Sequence, residues 1–528
     1  MQSKLVENWL TSAKEISFTA PFVQLLLTEG YTVLQAKGGV IEQGKDIIAK
    51  DSDGNIHCFQ LKCGNIGSNE WQSINGQLND LTQIPPIHPT ITQAPTNWSC
   101  FLVTNGDITG PVSRTIADYS SAQQSQGKMP LQTISKEELL RRFTDAFGQF
   151  FPVEPNDIRI FFELFCEDGD NVLKREEFKR YLESFLQGFD AKSKQKKLEA
   201  VQALPILASY LLANKYTQEN HIAIIDAWVL TLLTILHYTN KWSLSEKKYL
   251  ATENLILEEL DRQIVQLIDD VAKNDKSLID TTYGAFSEPI ITFRLRCAEL
   301  LGYISAAINY SVLSGRELPS VPSGLAEKVA VLVQKKMIIS ESGIPGQFNS
   351  LLASAISNKQ SAAVTELKAL VEGVMASHVD DGSGLLSPYY STEQAVANLF
   401  GVGDPIEESF HNRSYMLWTA VLLLVKYDER DFLNEHWPVI SEISMEEVVA
   451  HDQNDLLLWK ADNADMMDTF PDATQSWSKL RIGATKSYDN EIPSVLLTRK
   501  YLIPFMIMAM PHRLTPKLIL SLLNKEAS

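Results

Sequence analysis

The chain has 528 residues, 45% hydrophobic and 21% charged, with Gly and Pro at ordinary levels. This composition excludes collagen-like and disordered classes, and the length suggests about three domains at roughly 100–200 residues each. The net charge of −18 excludes a histone-like nucleic-acid coat, though not a local DNA site on one face.

Five cysteines (Cys58, Cys63, Cys100, Cys166 and Cys297) are scattered, without a Cys-x-x-Cys or a His pair at zinc-ligand spacing. A structural zinc site is therefore not expected. No basic-then-apolar leader opens the chain. The most apolar runs, Ile222–Leu236 (interrupted by Asp226) and Tyr415–Val425, fall short of the roughly 18–20 residues that span a bilayer. The expectation is a cytoplasmic protein with no membrane partner.

In chain order, Phe18–Tyr31 predicts a helix with Pro21 in its first turn and Gly30 at its end. Tyr31–Ala36 is a strand candidate. Lys45–Asp51 and Ile56–Lys62 flank Ser52-Asp53-Gly54-Asn55, a hairpin signal. Trp71–Leu81 has helical spacing, and Ser99–Thr104 predicts a buried strand closed by Asn105-Gly106. A helix follows from Pro111 to about Ala122, then a strand at Leu131–Ile134. Ser135-x-x-Glu138 is a capping box for one more helix. Helix, three strands, helix, strand, helix, strand is an α/β order.

Chemistry concentrates on the hairpin. On the second strand Phe59 and Leu61 share one face, and Gln60 and Lys62 the other. A three-residue Asp53-Gly54-Asn55 loop would place Asp46 opposite Lys62 and Ile48 opposite Gln60. Asp46, Gln60 and Lys62 would then converge. A two-residue Asp53-Gly54 loop would send Asp46 to the other face. A carboxylate, an amide oxygen and an ammonium suit a hard divalent cation and a phosphate. Asp46 would ligate Mg²⁺ (or Mn²⁺) with the Gln60 side-chain oxygen or the Leu61 backbone carbonyl, and Lys62 would orient or activate the attacking water and stabilise developing charge. A further acid is needed, and Glu42 and Glu15 are the candidates.

These residues resemble the PD-(D/E)xK nucleases, in the Mrr-like restriction endonuclease branch with Gln as the middle residue. The matches are Gly44-Lys45-Asp46, Gln60-Leu61-Lys62, the helix closing at Gly30-Tyr31, and the strand Phe101-Leu102-Val103-Thr104. The resemblance covers roughly residues 15–145. It implies a restriction-endonuclease-like fold and a metal-dependent DNA phosphodiesterase, associated with restriction or anti-phage defence. One departure stands out: the first-helix Glu of the family falls on Thr19. Other [D/E]-x-K strings, Glu177–Lys179, Asp190–Lys192 and Glu246–Lys248, lie in helical patterns without a strand-borne Asp partner.

The expected plan is an α/β nuclease-like domain over 1–150, a helical connector over 151–197, and all-α domains over 198–376 and 377–528. Residues 166–177 look like an EF-hand but put Cys166 at the first ligand and Asn171 at the obligatory Gly, so calcium binding is not expected. His221, His237 and the fragment His411-Asn412-Arg413 are read as structural. Residues 1–150 carry −3, leaving −15 on the rest. The helical part is accordingly expected to bind a protein partner or self-associate rather than bind DNA.

Overall fold

The computed structural model describes residues 29–35, 44–88, 95–147, 167–274, 290–316, 340–356, 359–378, 384–402 and 411–523, with scattered positions between them. In the first stretch, the described residues from Thr19 to Leu27 are helical. The Tyr31 N–H donates to Leu26 O (2.9 Å) and that of Gly30 to Leu27 O (3.1 Å), with Gly30 at φ +91°. This is a Schellman stop, which needs a left-handed residue and so a glycine.

Five strands follow: β1 (Thr32–Gln35), β2 (Ile47–Lys50), β3 (Ile56–Lys62), β4 (Ser99–Thr104) and β5 (Leu131–Ile134). They form one sheet in sequence order, antiparallel from β1 to β3 and parallel from β3 to β5. Helices α1 (Ser68–Gln83) and α2 (Gly110–Ser125) make the two parallel connections, and α3 (Lys136–Phe147) follows β5. Trp71, Ile74, Leu78 and Leu81 of α1 and Val112 and Ile116 of α2 cover one sheet face, over Ile48, Cys58, Cys100 and Leu102. The other face carries an aromatic stack, Phe59 on Phe101 at 5.1 Å with Phe22 edge-on at 5.4 Å. The N-terminal part is thus a mixed α/β layer structure, in the element order the sequence predicts.

The hairpin register differs from the expected one. The Asp51 N–H donates to Asn55 O (3.1 Å), so the loop is Ser52-Asp53-Gly54, and Ile48 pairs with Cys58 rather than Gln60. The Asp51 carboxylate decides this. It accepts from the N–H groups of Asp53 and Asn55, from Asn55 Nδ2 and from His57 Nε2, all within 3.0 Å. The Asn55 side chain, the largest contributor, holds this carboxyl well below the usual range. The loop still has three residues, so the parity that brings Gln60 and Asp46 together is kept.

The chain divides into two compact units, 1–259 and 260–528, a coarser division than the four segments read from sequence. In the first unit, α4 (Arg175–Gln187), α5 (Lys194–Leu211) and α6 (Ala213–Thr217) pack around α7 (His221–Lys241). At 21 residues and mean hydropathy 1.7, α7 is long and apolar enough to cross a membrane, longer than the sequence reading gave it. Here 94% of its apolar window is buried in protein, and its Asp226 accepts from Arg175 Nε at 2.6 Å.

In the second unit, α8 (Ile290–Ser314) crosses α9 (Ile344–Ile356) at Gly302 and Gly346, where a Cβ on Gly302 would sit 2.8 Å from Gly346 Cα. A further helix runs over Gln360–Ala376, and the helices Leu417–Lys426 and Arg430–Ile440 are separated at Asp428, whose φ is +63°. The expected all-α character of 377–528 is overturned by a three-stranded sheet, β6 (Arg413–Ser414), β7 (Ser444–Ala450) and β8 (Ala464–Thr469), in the order β6-β7-β8. The β-branched pair Val448-Val449 favours an extended ribbon there.

Candidate active site

The site is built at the end of β3, where β2 has not yet begun. Asp46 directly precedes β2, and its N–H donates to Phe59 O at 2.9 Å. Its carboxylate Oδ2 accepts from Gln60 Nε2 at 2.6 Å and from the Leu61 N–H at 2.6 Å. A side chain thus satisfies a strand N–H that β2 does not reach. Asp46 and Gln60 are 5% and 3% exposed, so this is a buried contact between a charge and two neutral donors. Lys62, half-buried, lies two residues on, along the same face of β3 as Gln60.

The glycine of Gly44-Lys45-Asp46 has a steric cause. At φ +69° its missing Cβ would lie 2.3 Å from Gln77 O on α1, so the chain entering Asp46 runs directly against that helix. Lys45 turns inward, 2% exposed, and donates to Asp80 O at 3.2 Å. Burial pulls its ammonium pKa down. Burial likewise pushes the neighbouring Cys100 thiol up to about 12 and the Cys58 thiol higher still, so neither is a reactive thiolate.

Beyond Lys62 the chain is clamped by residues whose role the sequence did not reveal. Thr104 Oγ1 donates to Gly64 O (2.8 Å), and Asn105 Oδ1 accepts from Gly64 N (2.7 Å). Asn105 Nδ2 reaches Leu10 O at 2.7 Å. Asn105-Gly106 reads in sequence as a strand end. Only the parallel pairing of Lys62 with Thr104 makes it a clamp on the segment after Lys62.

The donor set fits a hard cation. Gln60 gives its amide N–H to Asp46, which leaves its oxygen as an acceptor beside the carboxylate. All candidate ligand atoms are oxygens and carry one formal charge, so water and substrate would complete the sphere. Glu42 and Glu15 lie outside the described residues. Thr19, at the family's first-helix Glu position, is helical and 2% exposed. Among the described residues no three His, Cys, Asp or Glu side chains form a ligand group.

The remaining motifs are structural. Glu177 and Lys179 lie on α4, where Lys179 is fully buried and donates to Glu183 at 3.1 Å. Asp190 accepts from Trp242 Nε1 at 2.7 Å, and Glu246 opens a helix. Cys166 lies outside the described residues, but the rest of the acidic turn holds an internal cation. Lys215 Nζ donates to Asp168 O (2.8 Å) and Asn171 O (2.6 Å), with Glu167 at 3.4 Å. The side-chain amides of Asn214 and Asn220 donate to the carbonyls of Phe165, Glu167 and Gly169 and share that of Asn171 with Lys215. His411-Asn412-Arg413 also serves packing: the Asn412 N–H donates to His378 Nδ1 (3.1 Å), and Arg413 pairs with Glu446. Comparison of the chain with protein-family models, with curated proteins and with solved structures returns no match.

Proposed function

We propose that the N-terminal α/β region is a restriction-endonuclease-like domain and that the chain is a Mg²⁺-dependent (or Mn²⁺-dependent) DNA endonuclease, acting on cytoplasmic DNA in restriction or anti-phage defence. The observation that carries this reading is the buried Asp46–Gln60 contact, with Lys62 on the same strand face. Asp46 and the Gln60 oxygen would hold the cation, with Glu42 or Glu15 as a further acid. When bound, the cation would polarise a phosphate oxygen and lower the pKa of a water. Gln60 fixes the Asp46 carboxylate in one orientation without adding a second negative charge. A Glu at 60 would press two carboxylates together and force one to bind a proton. Lys62 would supply positive charge at the phosphate and orient the attacking water. The net charge of −3 on 1–150 gives weak intrinsic affinity for DNA, so the helical region would contribute self-association or a protein partner.

A plasmid-nicking assay with and without Mg²⁺, on the intact chain and on Lys62→Ala, tests this. Metal-dependent nicking lost in the variant is the expected result. Nicking that persists in the variant sinks the assignment of Lys62.

A second reading is favoured by one observation. Thr19 puts a buried neutral side chain where the family carries a carboxylate. A catalytically silent nuclease fold, serving as a scaffold or nucleic-acid-binding subunit of a larger complex, would tolerate that exchange. In that case Asp46 only closes the end of the β2–β3 ladder, and no metal-dependent nicking appears at any protein concentration.

A further inference from the structure

Strand β8 is the outer strand of the C-terminal sheet, and every one of its six residues is exposed. Met466 and Met467 are 52% and 51% exposed, and Phe470, just beyond the strand, is 62% exposed. An outer strand offers alternate N–H and C=O groups along its free edge, a template for another strand unless something covers it. Methionine pairs on such an edge adapt to apolar side chains of differing shape.

The register gives the edge a pattern. β7 and β8 pair Glu446 with Asp468, Glu447 with Met467, Val448 with Met466 and Val449 with Asp465. Side chains alternate, so one ribbon face shows Asp468 and Met466 at its rim, and the other shows Asp465 and Met467. An added strand would meet, in order, acid, apolar, apolar, acid. The pattern reads the same in either direction.

The charged side chains of β8 itself are both acidic. Glu446 and Glu447 are held by Arg413 and Lys517. Among the described residues Asp465 has only the exposed His451 at 3.0 Å, and Asp468 has no ion-pair partner. A second copy of this chain suits the edge poorly. The antiparallel register that sets Met466 against Met467 also sets Asp465 against Asp468 at both ends, and like charges directly opposite repel.

We infer that the free edge of β8 binds an extended segment of a protein partner by strand addition, and that the segment reads basic-apolar-apolar-basic. Lys or Arg would lie beside Asp465 and Asp468, and two apolar side chains beside Met466 and Met467. Backbone pairing supplies affinity in this mode, and the flanking side chains supply selection. The inference stands independently of the nuclease reading, since no part of the Asp46 site takes part in it.

The test uses the intact chain and a capped peptide, Thr-Lys-Val-Val-Lys-Thr, titrated by calorimetry, with hydrogen exchange read at the β8 amides. Three controls accompany it: the Glu-for-Lys peptide, the same Lys peptide N-methylated at alternate residues, and the protein variant D465K/D468K. Because both aspartates are exposed, that variant should fold. The expected result is saturable binding with slowed exchange in β8, weakened at least tenfold by each control. Absence of binding overturns the proposal. Equal binding of the N-methylated peptide also overturns it, because attraction would then be electrostatic without strand pairing. Sedimentation showing that the protein alone dimerises, and that D465K/D468K abolishes the dimer, would assign the edge to a second copy instead.

Discussion

At the Asp46 site a buried carboxylate accepts from the Gln60 amide and the Leu61 N–H, both neutral. In the acidic turn at 167–171 the lysine ammonium of Lys215 sits among the carbonyls. The hairpin reads in sequence as a place for a divalent cation, whereas the acidic turn has only the outline of one, with the wrong first ligand and no turn glycine. The fold supplies the cation itself in the second, whereas in the first a side-chain amide and a backbone N–H meet the carboxylate. A third buried carboxylate, Glu341, follows another course. It accepts from Ser414 Oγ and from the Tyr415 N–H (2.9 Å), with no cation in contact among the described residues, and burial pushes its pKa up to about 7. Asp46 thus meets the Gln60 amide and a strand N–H, Glu167 meets Lys174 and Lys215, and Glu341 is accommodated by a proton. Acidic composition alone does not mark a metal site.

The largest expected effect separates the Asp46 site from an ordinary strand end. Asp46→Ala or Lys62→Ala should lower metal-dependent cleavage at least about a hundredfold while circular dichroism stays unchanged. Full activity in both variants would make the hairpin structurally equivalent to the acidic turn. In that turn, Lys215→Met should cost about 3 kcal/mol in urea unfolding, since it removes a buried donor from the Asp168 and Asn171 carbonyls and leaves the 7% exposed Glu167 carboxylate to Lys174 alone. Wild-type protein titrated with micromolar Ca²⁺ should give no binding heat; one tight site would mean that Lys215 yields its place.

Glu341 sharpens the comparison through pH. Its pKa is raised on folding, so its favourable share of stability is complete below about pH 4.5 and is lost as pH rises through about 7. Over that window the wild type should lose up to about 3 kcal/mol relative to Glu341→Gln. Parallel pH–stability curves for the two proteins would refute this. The smallest effect concerns Gln60→Glu, which sets a second carboxylate against Asp46. It should cost about 2 kcal/mol without metal and recover on adding Mg²⁺. A loss that Mg²⁺ does not reverse would place Gln60 in packing alone.

Much of the N-terminal fold was legible because its signals are local. Gly30 stops a helix, Ser99–Thr104 is an apolar run bounded by turn residues, and β3, β4 and β5 begin and end where the periodicity places them. The pairing of Asp46 with Gln60 was legible as a parity, because any odd loop brings the two to one face. The register itself was not. It depends on the Asp51 carboxylate choosing Asn55 and His57, a competition among near-equal turns that local sequence does not rank.

Other features had no local signal. The Asn105 clamp on Gly64 needs β3 and β4 side by side, and the steric demand on Gly44 comes from a helix more than thirty residues later. The β7–β8 ribbon was hidden among helices because its outer strand buries nothing, and hydrophobic alternation is visible only where one face is covered. The sequence by itself determined the order of elements and the chemical identity of the hairpin residues, both set by residue type and spacing along the chain. Which acids meet an amide, a lysine or a proton was decided only by tertiary structure, because it depends on partners from 14 to 74 residues away that folding brings into hydrogen-bond range.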